Sequence, residues 1–346
     1  MNIRETFLQL TKYTYPYETE YKLKDLLPKG IREDDFGNYY LKIGDSDTLF
    51  TSHLDTCCTK FEKVKHHIGS RFIKTDGKTI LGADDKAGVT IMLYMIHNKV
   101  PGLYYFFLGE EVGGLGSSAV ADSPFFMGYN KCVSFDRRGY NSVITEQLYG
   151  PCCSDEFAKE LSKSLNKANL SFDYRPDSTG VFTDSASFME VIPECTNISV
   201  GYFNEHQFCE KQDILFLSQL CEAVVKVDWN SLPIMRDPHI KYDYDRYKVS
   251  YDSPESSTIN VWIGEEKWKA KLSHERLLEE RSFIYSWILR QDCYYNLTGI
   301  KWDGKTCIVE HDGISEHLGD REDLMYLIEE LENIPVSDLD LIFRLS

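Results

Sequence analysis

Residues 102–114 read GLYYFFLGEEVGG, a run of large apolar side chains that ends in two adjacent glutamates and two glycines. A strand with one wet face alternates apolar and polar residues, and this run does not. The spacing predicts an interior strand of a mostly parallel sheet, covered on both faces. Its end raises a second question. Neighbouring carboxylates repel each other unless something positive lies beside them, or unless they fan out into water. Glu110 and Glu111 are plain surface acids if nothing else in the chain converges on them.

Working outward, a first helix is expected over residues 2–12, with Ile3, Phe7, Leu8 and Leu10 on a partial apolar face. FGNYYLKIG (36–44) and TLFTSHLD (48–55) read as two strands around a turn at Gly44–Asp47. LGADDKAGVTIMLYMIHNK (81–99) reads as a loop entering a helix, with Val89, Leu93 and Ile96 on one face. KCVSFD (131–136) and NISVGYF (197–203) are further apolar strands. Helices are expected over 155–168, on Phe157, Leu161 and Leu165, and over 213–229, on Leu217, Leu220, Cys221 and Val224. This alternation predicts a three-layer α/β body with a mostly parallel central sheet.

The pattern changes near residue 230. DPHIKYDYDRYKVSYDSPESST (237–258) has little periodicity and reads as a linker or irregular edge. A small α+β unit is expected beyond it: a strand near INVWIG (259–264), a helix over 273–290, strands near 295–310, a helix over 320–332 and a last strand at LDLIFRL (339–345). The expected domains are 1–235, a linker or edge at 236–258, and an accessory unit at 259–346.

A chain of 346 residues with 42% hydrophobic content can bury a sizeable core. A formal charge of -17 argues against nucleic acid or an anionic membrane as the main partner. No apolar stretch has the length of a membrane span, and the first residues do not form a secretory signal. Ten cysteines without a CxxC motif read as free thiols in a reducing cytoplasm, with the pairs Cys57-Cys58 and Cys152-Cys153 incidental.

Several polar residues sit where strands should end. TSHLDT (51–56) places His53 and Asp55 two apart, on one side of a strand. LGADDKAG (81–88) places Asp84 and Asp85 at the mouth of a helix, where capping is the bland explanation. Asp136 closes an apolar strand, and His206 follows another. Ligands of open α/β sheets gather beyond the carboxyl ends of strands. Two histidines with three carboxylates suit a pair of divalent ions, most simply zinc. Such ions also answer the glutamate puzzle: one glutamate binds metal while its neighbour takes a proton from water. His66-His67 in a polar segment reads as exposed, EHDG (310–313) as a turn, and Arg137-Arg138 as a salt-bridged pair rather than a reader of substrate carboxylate.

The ordered set HxD, GADDKAG, GEEVGGLGS, FD and a late His206 followed by Glu210 resembles the co-catalytic dizinc exopeptidases, the M28-, M20- and M42-type peptidases. LGADDKAG and EEVGGLG are similar to the tripeptidase branch of M20, and DDFGN (34–38) occurs in similar form near the front of several such enzymes. The resemblance covers residues 1 to about 228 and implies a phosphorylase/hydrolase-like zinc exopeptidase fold. It implies that His53, Asp84 and Asp136 hold one metal, and that Asp84, Glu111 and His206 hold the other. Asp55 would orient His53, Glu110 would serve as general base and then acid, and Asp85 would shape the Asp84 loop without binding metal.

The chain also departs from these families. M20 enzymes insert a lid domain before the last histidine, whereas 69 residues separate Asp136 from His206 here, which is closer to the M28 plan. GVFTDSASFMEVIPECTNISVGY (180–202) resembles the corresponding M28 segment, with Asp184-Ser185 where those enzymes often have Asp-His. The expected activity is zinc-dependent hydrolysis of short peptide or aminoacyl substrates, with an aminopeptidase favoured. A carboxypeptidase, an N-acyl-amino-acid deacylase of the same fold and a catalytically silent binding protein are the alternatives.

Overall fold

The computed structural model describes residues 1–147 and 150–240, and the backbone of five later strands. The chain divides into two compact units, Met1–Asp243 and Tyr244–Ser346. The first unit begins with α1 (Ile3–Leu10), β1 (Arg32–Glu33), β2 (Tyr39–Ile43), β3 (Thr48–His53), β4 (His66–Ile68) and β5 (Phe72–Thr75). There follow α2 (Ala83–His97), β6 (Gly102–Phe107), α3 (Leu115–Val120), β7 (Lys131–Arg137), β8 (Ser142–Ile144), β9 (Glu146–Gln147) and β10 (Gly150–Pro151). It closes with α4 (Asp155–Ala168), β11 (Arg175–Asp177), β12 (Glu194–Ser199), β13 (Tyr202–Phe203), β14 (Lys211–Asp213) and α5 (Ile214–Val224).

An eight-stranded sheet in the order β1-β2-β6-β3-β7-β12-β8-β11 forms the centre, and β6, β3, β7 and β12 run parallel through its middle. Every residue of β6 is buried because both of its faces are covered. Tyr104 and Phe106 join a core with α1, α2, α4 and α5, while Leu103, Tyr105 and Phe107 join a second core with Phe126 and Phe188. Each such side chain removed from water contributes about 1.5–3 kcal/mol. Helices thus lie on both faces of a large, mostly parallel sheet, as the sequence predicts.

The details differ in several places; NISVGYF is not one strand, because β12 ends at Ser199 and β13 joins a different sheet. β2 and β3 flank a turn but are not neighbours, because β6 inserts between them. α2 is buried nearly all round rather than along one face, since it is packed between the sheet and the helices α1 and α5. α5 stops at Val224, where the Trp229 indole donates to the Val224 carbonyl at 3.0 Å and satisfies a group the helix end leaves open. The polar segment 59–80 supplies β4 and β5, which join β13 and β14 in a separate sheet ordered β13-β14-β5-β4.

In the second unit, β15 (Ser257–Ile263), β16 (Glu266–Leu272), β17 (Leu297–Trp302), β18 (Cys307–His311) and β19 (Ile314–Gly319) form a sheet ordered β16-β15-β17-β18-β19. The helices expected over 273–290 and 320–332, the strand at 339–345 and the tyrosine-rich run at 242–251 lie outside the described residues. Within EHDG, Asp312 and Gly313 also lie outside them, and the flanking His311 and Ile314 pair across β18 and β19. Among the described residues no helix is long and apolar enough to cross a membrane, and all the cysteines are free.

The DDFGN stretch locks the loop that carries the two glutamates. Asp34 Oδ1 accepts from the backbone N–H groups of Phe36, Gly37 and Asn38, and Asp34 Oδ2 accepts from Tyr105 on β6. Asn38, fully buried, donates to the Gly116 carbonyl at 3.0 Å and accepts from Leu108 N–H at 3.1 Å. The loop Gly109–Gly114 is therefore held at both ends by one amide side chain. Asn38→Ala strands the Leu108 N–H, a loss worth about 1–3 kcal/mol for a buried unpaired group, and removes one bond to the Gly116 carbonyl. A lower urea midpoint with an unchanged m-value is the expected result.

Candidate metal centre

The middle strands of the sheet end on one edge, and the side chains singled out in the sequence meet there. His53 is the last residue of β3, Glu110 and Glu111 follow β6, and Asp136 lies near the end of β7. Asp84 precedes the regular turns of α2, and His206 sits in the loop between β13 and β14. Asp84 touches both histidines: its Oδ1 is 3.0 Å from His53 Nε2, and its Oδ2 is 3.2 Å from His206 Nε2. Asp136 Oδ1 is 3.7 Å from His53 Nε2, and Glu111 Oε2 is 3.0 Å from His206 Nε2. Asp84 thus stands between a His53–Asp136 half and a His206–Glu111 half.

The supports explain why these side chains hold their places. Asp55 accepts the backbone N–H of Glu110 at 3.1 Å and of Glu111 at 3.0 Å, tying the end of β3 to the end of β6. Its Oδ1 also lies 3.2 Å from His53 Nδ1, a close ionic contact that is out of line for a straight hydrogen bond. Asp85 does cap α2, accepting from Gly88 N–H at 3.1 Å, and its other oxygen accepts from the Ser52 hydroxyl and His53 N–H. Gly88 has no room for a Cβ, which would strike the Phe135 carbonyl and the Asp85 carboxylate. Asp84, in contrast, caps nothing and faces the cluster. The Asp84–Asp85 peptide bond is cis.

Charge has been concentrated where water is scarce. Burial drives the Glu110 carboxyl well above the usual carboxylate range, opposed by His53 and reinforced by Asp136, Asp184 and Glu111. Burial likewise carries Asp136 up to about 6 and Asp184 up to about 7, with neighbouring acids adding to each. For His53, burial alone would lower the ring, and the Asp136, Asp55 and Asp84 carboxylates outweigh it and raise it. Burial would raise Asp84, yet His206 and His53 hold it well below its ordinary value.

These residues fit a divalent cation. Glu111 is 6% exposed at its side chain, and its Oε1 is buried with no hydrogen-bond partner. Such an oxygen is costly to leave unpaired, and a cation supplies its missing partner. Ring nitrogens and carboxylate oxygens of His53, Asp84 and Glu111 lie within 4.8 Å of one another. Imidazole with carboxylate is the donor chemistry of zinc and its first-row neighbours. Asp85, also within that range of His53 and Asp136, already spends its oxygens on Ser52, His53 N–H and Gly88 N–H.

The lesser candidates are placed elsewhere. Arg137 donates to the Thr179 carbonyl and hydroxyl, and Arg138 donates to Glu205 at 3.2 Å. His66 is half-buried, not exposed, because its ring meets the Thr11 hydroxyl at 2.9 Å; His67 is exposed. Neither joins a metal-ligand cluster among the described residues.

Sequence reasoning missed most of the supporting acids and one cation. Glu210 accepts from Gly82 N–H at 2.7 Å and Asp84 N–H at 3.0 Å, fixing the Asp84 loop; burial pushes its carboxyl up to about 8. Its spacing after His206 was its only signal. Lys86, fully buried, donates to the Asp55 carbonyl at 2.6 Å and to Thr56. Asp136 is fixed by Thr183 at 2.6 Å and Tyr202 at 3.0 Å.

No family model matches the chain. A stretch of 107 residues is 36% identical to the uncharacterized Bacillus subtilis protein YqjE, and it spans 29% of this chain and 29% of that relative. Among solved structures, the aminopeptidase PepT of Bacillus cereus superposes with a TM-score of 0.53 at 18% identity, covering 65% of this chain and 96% of the other. A tripeptidase of Staphylococcus aureus does so with a TM-score of 0.54 at 16% identity, covering 66% of this chain and 97% of the other. These likenesses show that the first unit shares its fold with that aminopeptidase and that tripeptidase.

Glu20 is a further buried acid close to Asp55 and Lys86. Its Oε1 lacks a partner, and burial pushes its carboxyl up to about 7, with Asp55 adding and Lys86 opposing. Because its folded value lies above the ordinary 4.5, its contribution is full at low pH and is lost as pH rises through about 7. Glu20→Gln is therefore expected to match wild type in thermal midpoint at about pH 5 and to exceed it at about pH 8.

Proposed function

We propose that the first unit is a metal-dependent peptidase that removes residues from the end of short peptides, acting on the amino terminus. The observation that carries this reading is the joining of two histidine–carboxylate halves by Asp84, with the half-buried Glu110 following β6 beside them. His53, Asp84 and Asp136 would hold one cation, and Asp84, Glu111 and His206 the second. Zinc suits the donors best. Bound there, a pair of divalent ions lowers the pKa of a shared water and polarises an amide carbonyl.

The chain supplies the rest. Glu110 takes the proton as water attacks and returns it to the departing amine nitrogen. Asp55 keeps His53 turned toward Asp84 and holds both glutamate amides, so the base and its neighbour keep a fixed separation. Asp184, buried with Oδ1 lacking a partner, offers a carboxylate to the substrate's α-ammonium. Arg137 and Arg138, the candidate readers of an α-carboxylate, donate to Thr179 and Glu205. The peptidases that share the fold support the same reaction class, and a cytoplasmic setting suits the free thiols.

Aminoacyl, N-acyl and carboxyl-terminal amide substrates, tested on metal-loaded protein, separate the readings; hydrolysis restricted to free amino termini is expected. Glu110→Gln should lower kcat by about 10²–10⁴-fold with cation content unchanged. Glu111→Ala should instead lose about one equivalent of cation, because it removes a ligand rather than a base. Full activity in Glu110→Gln would overturn the assignment.

A further inference from the structure

We infer that Cys57 supplies a thiolate to the cation held by Glu111 and His206, making that position softer than the one between His53 and Asp136. This inference rests on the metal reading above. Cys57 follows the His53–Asp55 stretch, and it is half-buried at the cluster's edge. Its Sγ, a carboxylate oxygen of Glu111 and a ring nitrogen of His206 all lie within 4.8 Å of one another. The Glu111 side chain between them is 94% shielded, being only 6% exposed, and its Oε1 has no partner. A sulfur, an imidazole nitrogen and carboxylate oxygens converging on one space form a zinc-type donor set.

The neighbouring thiol does not share the arrangement. Cys58 Sγ faces the Lys60 carbonyl at 3.5 Å. The other half of the centre holds only nitrogen and oxygen donors, from His53, Asp84 and Asp136. The two positions therefore differ in kind. Sulfur favours zinc and cobalt over manganese, magnesium and calcium, so the Cys57 side selects its cation more stringently. Binding is balanced by proton loss: the Cys57 S–H bond breaks, its proton passes to solvent, and the sulfur lone pair forms the bond to the cation.

Cobalt(II) is the probe. Metal-free protein loaded with cobalt is analysed for metal content and scanned in the near ultraviolet for a thiolate-to-cobalt charge-transfer band. Wild type and Cys58→Ser are expected to hold two equivalents and show the band; Cys57→Ser is expected to lack it. In competition with a chelator, Cys57→Ser should hold its second zinc about 10–100-fold more weakly, the range seen when a metal site loses a supporting group. Wild type holding two cobalt ions without the band overturns the Cys57 assignment and leaves the peptidase reading standing. So does a band that persists in Cys57→Ser. Wild type that takes up no cobalt overturns both. Because the wild-type spectrum decides alone, the test survives a variant that folds poorly.

Discussion

One carboxylate holds two imidazoles. Asp84, in the non-helical opening of α2, reaches His53 with one oxygen and His206 with the other, and the cluster exists only while that segment keeps its place. Glu210 makes this possible, since its two oxygens take the N–H groups of Gly82 and Asp84. Backbone held in this way leaves the Asp84 side chain free to face inward. The arrangement concentrates acids in a nearly dry space, where their mutual repulsion would be severe without positive charge. Histidines offset part of it, and a cation would offset the remainder.

The second organising contact is Asp55. By accepting the N–H groups of Glu110 and Glu111, it makes the ends of β3 and β6 move as one piece. Asn38 closes the same loop from its other end through Gly116 and Leu108. Two adjacent glutamates are therefore separated in direction by backbone geometry. Glu111 points to His206, while the half-buried Glu110 lies near His53, Asp136 and Asp184.

Much of this was legible in the sequence because strand ends carry distinctive residues. The apolar run of β6 betrayed a strand dry on both faces, and the stripes of α4 and α5 are buried as spaced. Strand adjacency was not legible, since nothing in FGNYYLKIG or TLFTSHLD reveals that β6 lies between them. The small sheet of β4, β5, β13 and β14 was equally hidden, because strands of two to four residues leave no period to read. Lys86 and Glu210 fall inside motifs singled out in the sequence, but their hold on backbone groups was not legible there, and Glu20 belongs to no motif. In the second unit, β15, β17 and β18 fall where apolar stretches were noted, while β16, with lysines through EKWKAKL, did not announce itself.

His206 is carried on the loop joining β13 to β14, in a left-handed backbone conformation at φ 63, outside the central sheet. His53 and Asp136, by contrast, belong to the rigid middle of the large sheet. The centre is thus assembled across a seam between a stiff frame and a slighter attachment. Loosening that attachment would move His206 while sparing His53 and Asp136, so changes in β5, which pairs with β14, bear directly on where His206 is held.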